Sequence, residues 1–209
     1  MNFEDAFAEM PLIAVLRHVT PAAVEAVADA LYRAGFRIAE VPLNSPDPFA
    51  SIAVMSRAFA GRMVVGAGTV CTTAEVDAVA AAGGQIIVSP HTAPTVIRNT
   101  LKRGLTPVPG FSTATEAFSA LEAGARYLKL FPASTVGPAH ATALSAVLPH
   151  ETRLIAVGGI GPSDMAAWWS AGAHGFGLGT DIYRPGRSAD EVFERAQAAV
   201  TAFRALPAR

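Results

Sequence analysis

Two ionisable side chains sit inside runs of sequence that otherwise read as buried strands. Lys129 lies between Leu128 and Leu130 in "ARYLKLFPAS" (125–134), and Glu40 lies in "IAEVPL" (38–43). Neither residue type is commonly buried without a partner. Desolvation disfavours the charged form of each, lowering the amine's pKa and raising the carboxyl's. An amine kept partly neutral is a nucleophile, in the state needed to form a Schiff base with a ketone. A carboxyl raised toward neutrality suits a group that must both accept and return protons. Plainer roles exist: a lysine can snorkel its head to water, and the two charges can form a structural ion pair. Strand alternation turns Lys129 away from the side taken by Leu128 and Leu130, which favours the chemical reading.

Glycines supply a third group. "AVGGI" (156–160) and "GLGTD" (177–181) each end an apolar run, and Gly158, Gly159, Gly179 and Thr180 could hold a phosphate through backbone N–H groups without a cationic side chain. The alternative is that they only make tight turns. Arg17 ends the first apolar run, and its planar fork suits a carboxylate or a phosphate. Which end of a substrate it would face is open at this point. Thr69 in "GAGTV" (66–70) could hold a carboxylate oxygen, and Asn44 and Ser45 could bond substrate hydroxyls. His91 in "SPH" reads as an exposed loop residue before it reads as a proton carrier. Cys71 has no basic neighbour to activate it and reads as a small apolar residue. No His, Asp, Glu or Cys grouping has metal-ligand spacing, so neither a metal nor a cofactor is expected.

The elements that must position these residues recur regularly. Eight apolar runs begin at 12, 38, 63, 85, 105, 127, 153 and 175, and Ala-rich segments of helical period lie between them. Thr72 or Thr73 should cap one such helix, with Glu75 in its first turn. Gly35, Gly83, Gly104, Gly124 and Gly172 fall where left-handed glycines end helices. Eight strand–helix alternations predict an α/β fold, a single (β/α)8 TIM barrel over residues 1–209, with an open doubly wound sheet as the alternative. In such barrels chemistry collects at the carboxyl ends of the strands, which is where the residues above fall.

Composition narrows the partners. The 209 residues are 51% hydrophobic with a formal net charge of −1, and no block of like charge offers itself to nucleic acid or an anionic membrane. One cysteine excludes an internal disulfide framework and fits a reducing compartment. "MNFEDAFAEM" lacks the basic start of a signal peptide, and no apolar run reaches membrane-spanning length. A cytoplasmic protein acting on a small molecule is expected.

In order and spacing, "PLIAVLR", "EVPLNSP", "GAGTV", "TATEAFSALEAGA", "LKLFPAS", "AVGGI" and "GLGTDIYR" resemble the 2-keto-3-deoxy-6-phosphogluconate/6-phosphogalactonate aldolases. The likeness runs from about Pro11 to Arg204. It implies a class I aldolase that takes a phosphorylated keto sugar acid, forms pyruvate and D-glyceraldehyde 3-phosphate, and assembles as a homotrimer. By motif match it makes Lys129 the Schiff-base lysine and Glu40 the general acid/base. Arg17 and Thr69 match substrate contacts, and Gly158, Gly159 and Thr180 match the phosphate loops. Asn44 stands where phosphogluconate-type members carry arginine, which sets the chain nearer the phosphogalactonate branch; the gluconate epimer is the alternative substrate. Thr180 replaces a frequent serine and His91 a common asparagine. A phosphosugar isomerase or epimerase without a Schiff base, and a non-catalytic phosphate-ligand binder, are the rival functions.

Overall fold

A computed structural model describes residues 1–208. Nine parallel strands form one sheet: β1 (Leu12–Val15), β2 (Ile38–Pro42), β3 (Val64–Gly68), β4 (Ile86–Val88), β5 (Thr106–Val108), β6 (Gly110–Phe111), β7 (Tyr127–Leu130), β8 (Arg153–Val157) and β9 (Gly175–Leu178). Their spatial order is β5-β4-β3-β2-β1-β9-β8-β7-β6. The two ends of that order, β5 and β6, are neighbours in the chain, so the sheet curls into a nearly closed barrel. The expected eight runs are all present. The fifth is split into two pieces, which corrects the strand count.

The split falls at Pro109, which has no N–H to give to a ladder. Its carbonyl still accepts a hydrogen bond from Lys129 N at 2.9 Å, while Val108 O accepts one from Ser89 N at 3.2 Å. Upstream of the break the segment therefore bonds to one neighbour, and from the break onward to the other. Gly110 follows because the turn is crowded: a Cβ there would lie 2.5 Å from the carbonyl carbon of Pro90.

Helices follow the strands as the Ala-rich segments predict: α2 (Pro21–Ala34), α3 (Pro48–Ala58), α4 (Thr73–Ala81), α5 (Pro94–Lys102) and α6 (Ala114–Glu122). Beyond β7 come α7 (Ala133–Val136) and α8 (Pro138–Ser145), then α9 (Met165–Ser170) after β8 and α10 (Ala189–Arg204) after β9. Thr72 caps α4 in a reciprocal box with Glu75, two orphan donors satisfied at once. Gly35, Gly83, Gly104, Gly124 and Gly172 all take positive φ. Gly35 shows the use of it: at φ 113° its N–H reaches the carbonyls of Leu31 and Tyr32 and closes α2.

The apolar residues divide into two sets. The larger fills the space between strands and helices and includes Leu128 and Leu130. The smaller lines the barrel interior, with Ile13, Ile38, Val64, Ile86, Val108 and Ile155. A helix that the sequence pattern did not reveal, α1 (Phe3–Glu9), adds Phe3 and Phe7 to this inner set. Their rings lie 4.6 and 5.2 Å from that of Tyr127, the first residue of β7. The amino end of the barrel is thus filled with aromatic rings, and its interior opens toward the carboxyl ends of the strands. Among the described residues no helix is long and apolar enough to cross a membrane.

Candidate active site

Lys129 is the third residue of β7 and points inward. It is 7% exposed, whereas its neighbours Leu128 and Leu130 are fully buried on the outer face of the sheet. The snorkelling alternative does not hold, because the amine end is inside the barrel mouth. Its Nζ lies 4.5 Å from the centre of the Phe131 ring, a contact that favours a cation without supplying a counter-charge. Burial pushes the amine's pKa down, the Glu40 carboxylate pulls it back up, and the Arg17 guanidinium lowers it again.

Glu40, third in β2, is 3% exposed. Its Oε2 is buried without a hydrogen-bond partner, an expensive arrangement for an ionised carboxylate. Burial raises its pKa to about 7, against the pull of Lys129 and Arg17. The two side chains feel each other's charge but form no ion pair within 4 Å, so the structural ion-pair alternative fails as well. Room for the carboxylate comes from β3. A Cβ on Gly68 would collide with Oε2, Oε1 and Cδ of Glu40, so the glycine in "GAGTV" is a seat for the acid.

Above the pair lies a cavity of about 470 Å³. It brings together Arg17, Glu40, Lys129, Gly158, Gly159, Gly179 and Thr180. Val15 and Val157 add apolar floor. On the glycine side, Gly158 (φ 98°) and Gly159 (φ 71°) are left-handed. A Cβ on Gly159 would lie 2.5 Å from Ser134 Oγ, so no larger residue fits there without moving Ser134. One amide of this wall is occupied, since Gly161 N donates to Asp164 Oδ2 at 2.8 Å.

Thr69, Asn44 and Ser45 are not among the residues that line the cavity. Thr69 follows β3 with φ 59°, a strained value for a β-branched residue. His91 is exposed, as expected; Cys71, read from sequence as a small apolar residue, is exposed as well and does not pack in the core. The Cys71 thiol is raised by partial burial and by Glu75, the opposite of an activated nucleophile. Asn44 Oδ1 accepts from Arg17 Nη1 at 2.9 Å and Ser45 Oγ from His18 N at 2.9 Å.

The structure adds residues that pattern reading passed over. Arg184 lines the glycine side of the cavity. Its Nε donates to Thr180 O at 3.0 Å, which ties the guanidinium to the glycine loop. The expectation that this wall lacks a cationic side chain is therefore corrected. Asp164 and Asp181 lie beside it. The available signal for Arg184 was its place in "GLGTDIYR", one helical turn beyond Thr180.

The family model for KDPG and KHG aldolases matches residues 3–201. The chain is 46% identical to the 2-dehydro-3-deoxy-6-phosphogalactonate aldolase of Escherichia coli (strain K12), over 94% of this chain and 96% of that one. The solved "Native KDPGal structure" superposes with a TM-score of 0.92 at 46% identity, covering 94% of this chain and 95% of its own. A cube-shaped, highly porous protein cage designed by fusing symmetric oligomeric domains matches with the same TM-score and identity, over 94% of this chain and 73% of the cage chain.

Proposed function

The chain belongs to the KDPG and KHG aldolase family, and we propose that it is a class I aldolase cleaving 2-dehydro-3-deoxy-6-phospho-D-galactonate to pyruvate and D-glyceraldehyde 3-phosphate. One observation carries the reading. A nearly buried lysine and a nearly buried glutamate, not ion-paired to each other, share the floor of a cavity with a glycine wall.

The neutral Lys129 amine attacks the C2 ketone, and the carbinolamine hydroxyl leaves as water with a proton from the protonated Glu40 carboxyl, giving an iminium and a Glu40 carboxylate. Glu40, directly or through one water, takes the proton of the C4 hydroxyl. The C3–C4 bond breaks, its electron pair moves into the iminium to give an enamine, and the aldehyde departs. Glu40 returns a proton to C3, and hydrolysis frees pyruvate and the amine. A carboxyl near neutrality can serve in both directions. Arg17 lines the same cavity and its charge acts on both Glu40 and Lys129, which supports a role for it at the reacting end, on the substrate carboxylate. Gly158, Gly159, Gly179 and Thr180 hold the far phosphate with Arg184 supplying charge, and this remote binding aligns the reacting carbons. Thr69 enters as a carboxylate contact on the strength of the family resemblance.

If the run broken at Pro109 is counted as one strand, the chain has eight βα units, a (β/α)8 barrel forming one catalytic domain. The match to a cage built from symmetric oligomeric domains supports an oligomer, and we take it to be a homotrimer that works in the cytoplasm. The galactonate epimer is favoured by the name of the 46%-identical relative.

Pyruvate release by the purified protein from each of the two C4-epimeric phospho-keto acids, followed by coupled reduction, tests the assignment. The galactonate epimer should be cleaved with the higher kcat/KM. Preference for the gluconate epimer would reassign the substrate, and cleavage of neither would remove the aldolase reading.

A further inference from the structure

We propose that Asn44 is a positioning residue, holding the Arg17 guanidinium over the reacting end of the cavity; the inference rests on the aldolase reading above. Arg17 lies two residues past the end of β1, exposed at the mouth, where a long side chain would otherwise be free to swing into solvent. The hydrogen bond from its Nη1 to Asn44 Oδ1, 2.9 Å, joins residues 27 positions apart in sequence. Asn44 itself does not line the cavity. Whatever it contributes to the reaction must therefore pass through Arg17.

The link is part of a two-point clamp between the segments that follow β1 and β2. Next to Asn44, the buried Ser45 accepts from the backbone N–H of His18 at 2.9 Å. His18 has φ 64°, a left-handed conformation that few non-glycine residues adopt. Leu16 N donates to Glu40 O at 2.9 Å. The chain that carries Glu40 thus goes on, four and five residues later, to fix the head of Arg17 and the backbone of the segment that carries it. The acid and the cation are set in one register by the same stretch of β2 and its loop.

A hydrogen bond to a charged group is among the stronger kinds. Loss of it should weaken capture of a carboxylate by about tenfold. The test is a cycle of Asn44→Ala, Arg17→Ala and the double variant. The readout is the pyruvate concentration that half-saturates borohydride trapping on the enzyme, with thermal midpoints recorded for each variant. Asn44→Ala should raise that concentration about tenfold in the wild-type background and less than about twofold in Arg17→Ala. Asn44→Leu, close in size but without an acceptor, repeats the comparison if the alanine variant folds poorly. An equal effect in both backgrounds, or no effect in the wild type, would overturn the inference and leave the aldolase reading standing. Failure of the wild-type protein to trap pyruvate at all would instead remove that reading, and this inference with it.

Discussion

Replacing Glu40 by glutamine should make the protein slower and, above neutral pH, more stable. A carboxyl moved from 4.5 to about 7 by burial is harder to ionise in the folded chain than in the unfolded one. Between those two values the unfolded state releases its proton first, so stability falls as pH rises. The loss is complete above about pH 7 and absent below about pH 4. At roughly 1.4 kcal/mol per tenfold, the difference is about 3 kcal/mol. Glutamine cannot ionise and carries no such pH dependence. The stability of Glu40→Gln relative to wild type should therefore grow by about 3 kcal/mol from pH 4 to pH 8, or about 6–12 °C in thermal midpoint for a chain of this size. Other shifted carboxyls, such as Glu116, which is held low by backbone and side-chain hydrogen bonds, act equally in both proteins and cancel. Lys129 adds in the same direction, because without the Glu40 charge nothing offsets the effect of its burial. Urea or thermal unfolding across pH measures the stability difference, and steady-state cleavage at pH 7 should fall by about 10²–10⁴-fold. Parallel stability curves for the two proteins would refute the desolvated carboxyl, and an unchanged rate would remove Glu40 from proton transfer.

Gly68→Ala places a methyl against the Glu40 carboxylate. It should cost about 1–3 kcal/mol of stability in denaturant titration and lower kcat at least about tenfold as the acid is displaced; normal turnover would show that Glu40 does not need its present seat. Arg184→Ala should raise KM for the phosphorylated substrate about tenfold while leaving pyruvate trapping at its wild-type saturation. An equal loss in both assays would move Arg184 away from the phosphate end.

How much of this was readable in the sequence varies with the physics of each feature. Lys129 and Glu40 stood out because a charge inside an apolar run contradicts its surroundings, and the contradiction survives folding: they are 7% and 3% exposed. The helix boundaries were legible for a similar reason. Thr72, Glu75 and the terminal glycines solve local backbone problems that depend on few neighbours. The division of the fifth run was not legible, because Pro109 breaks the ladder only once the flanking pieces are assigned to different neighbours. Helix α1 escaped because seven residues give too short a period, and its purpose, covering the amino end of the barrel, is a tertiary one. Arg184 escaped because an arginine in a polar loop looks solvated until the loop folds it back over Thr180. The Arg17–Asn44 bond joins two loops whose adjacency exists only in the sheet.

Covalent capture at Lys129 is the most direct measurement. The chain has two lysines, Lys102 and Lys129, so borohydride reduction in the presence of pyruvate, followed by peptide mass analysis, gives an unambiguous address. The mass increment should appear on the peptide containing Lys129 and vanish in Lys129→Ala. An adduct on Lys102, or none on either lysine while cleavage proceeds, would contradict the account.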